Sequence, residues 1–246
     1  MSDNDNGRRG FLATGATMAA GLGFVAIAPG IRLIEIAQAR PAGEAASSAV
    51  RWGMLIDTTK CASGCDACVS ACASENGIVE QVEDPAQRSH WIRKIDLKDK
   101  QSGREHSLPM MCQHCAEPPC VDVCPTGASM KRADGIVLVD RHICIGCRYC
   151  MMACPYKARS FVHEPLTEQN PEVPRGVGCV EACTLCVHRV DRGQLPACVE
   201  ACPEGALLFG DLGDPNSEIS RRIAQEATTQ VRADLQLNPG VRYQGI

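Results

Sequence analysis

The amino-acid sequence predicts an α+β fold that is loop-rich and built from two small modules, one inserted in the other. Seventeen of the 246 residues are cysteines, and sixteen of them fall into four groups of four. Short apolar runs of strand length flank these groups. Aromatic residues make up only 4% of the chain, so the large side chains that usually organise a core are scarce. Bound inorganic groups are the natural candidate for organising the interior instead.

The spacing of the cysteines predicts iron–sulfur clusters. The third group, CIGCRYCMMACP, has the C-x₂-C-x₂-C-x₃-C-P spacing of bacterial ferredoxins, and the other three groups are variants of it. Two residues between cysteines let a tight loop point successive sulfurs into one concavity. We therefore predict four 4Fe–4S clusters. Their ligands are Cys61, Cys65, Cys68 and Cys72; Cys112, Cys115, Cys120 and Cys124; Cys144, Cys147, Cys150 and Cys154; and Cys183, Cys186, Cys198 and Cys202.

The last cysteine of each group is predicted to ligate a different cluster from the first three. In two-cluster ferredoxins the fourth cysteine serves the other cluster, and the proline that follows three of these cysteines suits a first helical position. Only residues 125–143 separate the second group from the third, so these two groups should pair, which leaves the first to pair with the fourth. The predicted ligand sets are Cys61, Cys65, Cys68 and Cys202; Cys183, Cys186, Cys198 and Cys72; Cys112, Cys115, Cys120 and Cys154; and Cys144, Cys147, Cys150 and Cys124.

This pairing predicts tandem bacterial-ferredoxin-like modules in a nested order. Residues 112–154 form the inner two-cluster module, while residues 51–111 and 155–210 form the two halves of the outer module. Residues 211–246 are predicted as a C-terminal helix and tail, in which no apolar run is long enough to span a membrane.

Local patterns place the elements inside these modules. Strands are predicted at Trp52–Ile56, Gly135–Val139 and Ala206–Phe209, where short apolar runs lie beside cysteine groups. The segment Asp214-Pro215-Asn216-Ser217 is predicted to open a helix that reaches about Thr228.

Residues 1–39 resemble a twin-arginine signal peptide. Arg8 and Arg9 precede an apolar stretch rich in glycine and alanine, and a small-x-small cleavage pattern ends at Ala39. Gly7 and Ala13 depart from the usual flanking residues, and a retained membrane anchor is the alternative. Residues 40–50 are predicted to be a linker. The twin-arginine route carries folded proteins, so it reconciles clusters with a periplasmic location.

Other interpretations of the cysteines are weaker. Zinc ribbons use pairs rather than triplets with a distal Cys-Pro, and a disulfide scaffold does not require this spacing. The C-x-x-x-C-x-x-C pattern of radical-SAM enzymes occurs at Cys61, but the chain has no room for a barrel domain. Cys179 is left over as a free thiol, or else it replaces Cys183 as a ligand.

The remaining residues do not indicate substrate chemistry. A formal net charge of −4 gives no basic excess for nucleic acid, and neither a nucleophile–base constellation nor a phosphate loop is present. We expect no small-molecule substrate for this chain. Several residues near the cysteines are either solvated or support the clusters by position or charge: His114, His188, Arg148, Lys157, Arg159, Arg189 and Arg192. The stretch His163–Pro174 is predicted to be a loop, and a contact with a partner protein is the alternative.

Three phrases carry a family resemblance: PMMCQHCAEPPCVDVCPTGA, DGIVLVDRHICIGCRYCMMACPYKAR and CTLCVHRVDRGQLPACVEACP. In this order they resemble the four-cluster ferredoxin subunits of membrane-associated redox complexes, such as DMSO, tetrathionate, polysulfide and nitrite reductases. The resemblance covers Arg51 to Ile246 and implies the same pairing of the cysteine groups. It also implies an integral membrane, quinone-interacting partner of the NrfD type.

An exported chain with a C-x-x-x-C opening is most similar, within that family, to the periplasmic iron–sulfur subunits of Dsr-type membrane complexes in dissimilatory sulfur metabolism. This likeness implies a multihaem cytochrome c as a second partner. We therefore expect an electron-transfer subunit that is bound to the membrane through its partners. The alternative is the electron-transfer subunit of an exported molybdopterin oxidoreductase.

Overall fold

A computed structural model of the protein describes residues 44–78, 82, 84–166 and 169–246. The predicted signal peptide and the first residues of the predicted linker lie outside the described residues. Within the described part of the chain, none of the helices has the length and apolar character needed to cross a bilayer.

The described residues form ten strands and six short helices. The strands are β1 (Trp52–Asp57), β2 (Ile92–Lys98), β3 (Glu105–Met111), β4 (Ser129–Lys131), β5 (Val137–Val139), β6 (Ser160–Phe161), β7 (Val180–Glu181), β8 (Leu207–Asp211), β9 (Thr228–Thr229) and β10 (Val241–Gln244). The helices are α1 (Ala67–Glu75), α2 (Pro119–Asp122), α3 (Tyr149–Ala153), α4 (Val187–Val190), α5 (Ala197–Glu200) and α6 (Glu218–Gln225). The fold is therefore a mixture of helix and strand, as the sequence predicts.

The largest sheet has four strands in the order β8-β1-β10-β9. Strand β1 pairs antiparallel with β8, from Trp52↔Asp211 to Ile56↔Leu207, and parallel with β10, from Met54↔Val241 to Asp57↔Gln244. Strands β1, β5 and β8 overlap the three apolar runs from which strands were predicted. Strands β2 and β3 form a seven-pair antiparallel hairpin that the sequence pattern did not reveal.

The C-terminal segment differs from the prediction. Helix α6 begins after Ser217, whose side-chain oxygen accepts a hydrogen bond from the Ser220 N–H, but it ends at Gln225 rather than near Thr228. The predicted tail contains β10, an inner strand of the large sheet. Tyr243 of this strand is fully buried, and its hydroxyl donates to the Pro109 carbonyl oxygen at 3.0 Å. The four-residue strand is too short to produce a readable alternation.

Polar contacts join the predicted inner segment to both flanking segments. The Arg132 guanidinium donates to Asp134 and, at 2.8 Å, to a carboxylate oxygen of Asp191. The backbone N–H of Trp52 donates to the Asp134 carbonyl oxygen at 3.0 Å. These contacts hold residues from before, within and after the inner segment around one interior, in which cysteines lie among buried aliphatic side chains.

Candidate iron–sulfur centres

One cavity of the structure brings together Cys61, Cys65, Cys68 and Cys202. The first three belong to the first cysteine group of the sequence, whereas Cys202 is the last cysteine of the fourth group. The ammonium of Lys94 lies 3.2 Å from the Cys61 Sγ. The cysteine that completes this cavity thus comes from a distant segment of the chain.

A second cavity brings together Cys144, Cys147 and Cys150 with Cys124. Here the fourth cysteine comes from the group that precedes the other three in the sequence. Cys147 is exposed and Cys150 is buried, so this cavity reaches the protein surface.

Eight of the remaining cysteines, all but Cys179, form two buried groups. Burial raises the pKa of the Cys72 thiol, and the neighbouring Cys186 and Cys198 raise it further. The pKa of Cys183 is raised by burial and then by Cys72 and Cys198. These four cysteines therefore surround one another in the interior.

The second buried group contains Cys112, Cys115, Cys120 and Cys154. Burial, followed by Cys120 and Cys154, raises the pKa of Cys115 to about 12. The pKa of Cys112 is also raised to about 12, mainly by burial. Clustered buried thiols hold their protons until a cation compensates the thiolate charge, which is the behaviour of a metal-binding donor set. Among the described residues, no three His, Cys, Asp or Glu side chains close around a point suited to one metal ion.

Short helices place cysteines from two different cysteine sets of the structure side by side. Cysteines four positions apart on a helix share one face and are separated by about 6 Å along the axis. In each case both cysteines belong to the same cysteine group of the sequence, but they lie in two different cysteine sets of the structure. The pairs that lie in or next to a helix are Cys68 and Cys72, Cys120 and Cys124, Cys150 and Cys154, and Cys198 and Cys202.

A left-handed residue precedes the second cysteine of every group. Its φ is +76° at Gly64, +44° at His114, +68° at Gly146 and +51° at Leu185. This conformation turns the chain sharply between two cysteines, so that both sulfurs face the same side. The glycines at two of the four positions are the only sequence signal for this repeated turn.

A second repeated turn follows the Cys-Pro dipeptides. The backbone N–H of Ser129 lies 3.3 Å from the Cys124 Sγ, and that of Ala206 lies 3.2 Å from the Cys202 Sγ. Such N–H groups stabilise a thiolate. The residue three positions after each Cys-Pro cysteine has a positive φ: Gly127, Lys157 and Gly205.

Arg159 is the one predicted basic residue for which the structure records a hydrogen bond to a cysteine. Its side chain is buried, and Nη2 lies 3.0 Å from the Cys120 Sγ and 2.8 Å from the Ser129 Oγ. Its Nε and Nη1 atoms have no hydrogen-bond partner within the described residues. A buried cation with two unused donors among cysteines fits an anionic group at this place, and a thiolate-ligated cluster is such a group.

The other basic candidates contact aromatic or acidic side chains, or are exposed, rather than bonding to a cysteine. Arg148 packs over the Phe161 ring at 3.9 Å. Arg189 pairs with Glu75 at 3.0 Å, and Arg192 pairs with Glu172. Lys157 is exposed. Lys94 was missed by sequence reasoning because it lies far along the chain from the cysteine that it contacts.

Each of the two candidate histidines makes a polar contact with a residue other than a cysteine. The buried His114 accepts a hydrogen bond at Nδ1 from the Val137 N–H at 3.0 Å, and burial lowers its pKa to about 3, so its ring is neutral. His188 Nε2 lies 2.8 Å from a Glu75 carboxylate oxygen. The Cys179 thiol donates to the Arg141 carbonyl oxygen at 3.3 Å and does not belong to the buried group of Cys183.

Comparisons with known proteins indicate iron–sulfur chemistry for this chain. Residues 105–212 match the model of the 4Fe–4S dicluster domain. The chain is 45% identical to the iron–sulfur subunit 1 of an Hdr-like menaquinol oxidoreductase of Archaeoglobus fulgidus, over 78% of this chain and 82% of the relative. It is 36% identical to a subunit of the tetrathionate reductase of Salmonella typhimurium, over 88% and 83%. It is 34% identical to the iron–sulfur cluster-binding subunit of a menaquinone reductase of Nitratidesulfovibrio vulgaris, over 79% and 88%.

Proposed function

We propose that this chain, which belongs to the family of 4Fe–4S dicluster iron–sulfur subunits, holds four 4Fe–4S clusters and relays electrons through them in a membrane-associated oxidoreductase complex. It is an electron-transfer subunit and not the catalytic subunit of that complex. The observation that carries the proposal is the gathering of sixteen cysteines into four groups, each completed by a cysteine from another segment.

The proposed ligand sets follow these groups. Two are the cavity groups completed by Cys202 and Cys124, and two are the buried groups completed by Cys72 and Cys154. The first and last cysteine segments of the chain then form an outer two-cluster module, into which the inner module is inserted. The contacts of Arg132 and Trp52 support this nested order, because they join the inner segment to both flanking segments.

Electron transfer through a series of clusters requires short distances between successive clusters. When bound, 4Fe–4S clusters supply one-electron redox centres whose potentials depend on charge, hydrogen bonds and solvent exposure. The shared helices set the separation of paired groups: one face of α1, for example, carries Cys68 of one group and Cys72 of the other. Arg159 and Lys94 place positive charge against cysteine sulfurs. The backbone N–H groups of the Cys-Pro turns place partial positive charge against the sulfurs of Cys124 and Cys202.

We also propose a periplasmic location and a membrane partner. The twin-arginine pattern at Arg8 and Arg9 supports export of the folded protein. Two of the relatives are subunits of enzymes named for menaquinol or menaquinone, which supports an NrfD-type, quinone-interacting membrane subunit. Exposed apolar side chains close to Cys147 in the sequence, including Ile145 and Met152, offer a surface for a partner.

The finer assignment is a DsrO-type subunit in dissimilatory sulfur metabolism, with a multihaem cytochrome c as the second partner. The C-x-x-x-C opening and the export signal support it. The alternative is the electron-transfer subunit of an exported molybdopterin oxidoreductase, which the 36% identity to the tetrathionate reductase relative favours. Metal analysis of the complex purified from its native membrane separates the two. Haem c without molybdenum supports the first, and stoichiometric molybdenum supports the second.

The ligand sets are tested by single substitutions and redox-poised EPR. The Cys124→Ser protein should alter the same signal as Cys147→Ser, and leave intact the signal altered by Cys115→Ser. Iron and acid-labile sulfide in the unsubstituted protein should each approach about sixteen per chain. If Cys124→Ser instead alters the signal that Cys115→Ser alters, the exchange of the last ligand is wrong. Zinc in place of iron would overturn the cluster proposal itself.

A further inference from the structure

Lys94, a residue of strand β2, lines the cavity of one cysteine set. We call it the Cys61 set, and its members are Cys61, Cys65, Cys68 and Cys202. The Lys94 Nζ donates to the Cys61 Sγ at 3.2 Å and to the Ala62 carbonyl oxygen, also at 3.2 Å. One ammonium group therefore contacts both a proposed ligand sulfur and the backbone next to it.

The loop that Lys94 contacts is longer than its counterparts. Three residues separate Cys61 from Cys65, whereas two residues separate the first two cysteines of each other group. The Ala62 carbonyl oxygen also accepts from the Cys65 N–H at 3.3 Å, and the following residues up to Gly64 are exposed. A Cβ atom at Gly64 would meet no atom within 4 Å. Lys94 therefore ties an exposed ligand loop to strand β2.

Strand β2 is itself held from both of its faces. Neighbouring residues of a strand point to opposite faces, so Arg93 and Lys94 reach different cysteine loops. The Arg93 Nη2 donates to the Tyr156 carbonyl oxygen at 3.0 Å, two residues after Cys154. On its pairing edge the strand is bonded to β3 over seven residue pairs. These contacts fix the backbone from which the Lys94 ammonium reaches Cys61.

We propose that Lys94 is a positioning residue that raises the reduction potential of the cluster held by the Cys61 set. The inference rests on the proposed function, because it assumes a 4Fe–4S cluster at this set. Reduction brings one electron from the preceding redox centre to the cluster, and no covalent bond forms or breaks. The cluster thereby gains one negative charge, which the fixed ammonium stabilises. Lys94 is partly exposed, so solvent screens part of this effect.

The strand supplies a matched control for the charge. Lys94→Gln removes the charge but keeps a hydrogen-bond donor, and Lys94→Arg keeps the charge. Lys98 lies on the same face of β2, four positions further along, but it is exposed and pairs with Glu105 at 2.8 Å. Lys98→Gln therefore removes a lysine of the same strand that does not contact a cysteine.

The full-length variants are reconstituted anaerobically and titrated by redox-poised EPR, and Cys65→Ser identifies the signal of the Cys61 set. At the midpoint potential of the unsubstituted protein, Lys94→Gln should lower the ratio of reduced to oxidised cluster about tenfold, which corresponds to about 59 mV. Lys94→Arg and Lys98→Gln should each change this ratio by less than about twofold, because the first keeps the charge and the second removes a solvated one.

The outcomes separate this inference from the proposed function. An unchanged ratio in a Lys94→Gln protein with full iron content would overturn the role of Lys94 and leave the four-cluster proposal standing. Loss of about four iron atoms in Lys94→Gln would make Lys94 a requirement for cluster assembly, and the tuning role would again be wrong. An equal fall in Lys98→Gln would assign the effect to general surface charge. Failure of the unsubstituted protein to take up iron would instead overturn the proposed function.

Discussion

Replacing Arg159 with glutamine is expected to lower the reduction potentials of the two clusters proposed for the inner module. The guanidinium is buried, with an exposed fraction of 6%, and its Nη2 lies 3.0 Å from the Cys120 Sγ. Reduction adds one negative charge to a cluster, and a nearby cation stabilises the reduced form more than the oxidised form. Removal of the cation therefore makes reduction less favourable.

The size of the effect follows from the separation of the charges. Unit charges about 6 Å apart attract by about 3 kcal/mol at an effective dielectric constant of about 20. Since 1.4 kcal/mol corresponds to about 59 mV for one electron, the potential should fall by an amount on the order of 100 mV. The fall should be largest at the cluster that Cys120 ligates and smaller at the cluster that Cys150 ligates.

Redox titration followed by EPR measures this change in all four centres of one sample. Arg159→Lys keeps the charge and should restore most of the potential. Arg192→Gln removes an exposed arginine that pairs with Glu172, and it should shift every potential by less than about 20 mV, because solvent screens its charge. Unchanged inner-module potentials in an Arg159→Gln protein with full iron content would refute the reasoning.

Three further outcomes are expected. Gly146 has a φ of +68°, and a new Cβ there would overlap a backbone carbonyl, so Gly146→Ala should lower the free energy of unfolding by more than about 3 kcal/mol. Gly64 has a φ of +76° but borders open space, so Gly64→Ala should lower it by only about 1–2 kcal/mol. Equal losses for the two variants in denaturant titrations would contradict this reasoning. Tyr243→Phe should cost about 1–3 kcal/mol, because a buried carbonyl loses its donor; an unchanged denaturation midpoint would show that the C-terminal strand is not held by this bond. Replacing Arg8 and Arg9 together with lysine should retain a full-length, cluster-containing precursor in the cytoplasm, as fractionation and N-terminal sequencing can establish; export with clusters intact would rule out the twin-arginine route.

Features that depend on neighbouring residues follow from the sequence by itself. The cysteine spacing pointed to 4Fe–4S chemistry, and the family match over residues 105–212 agrees with it. The apolar run at Trp52 indicated the position of β1, and Ser217 marked the start of α6, because a strand run and a helix cap are written in adjacent residues. These features are set by local backbone geometry and by the chemistry of thiols.

Contacts between remote segments were decided only by the tertiary structure. Strand β10 lies in the segment predicted as a tail, yet it is buried against β1 because the sheet pairs residues 187 positions apart, as at Met54↔Val241. The sequence could not say which of five basic residues would be buried, nor that the Cys179 thiol would contact the Arg141 carbonyl rather than join the group of Cys183. Burial and proximity of this kind arise from the sum of many weak contacts along the whole chain. No single short stretch of the sequence contains that sum.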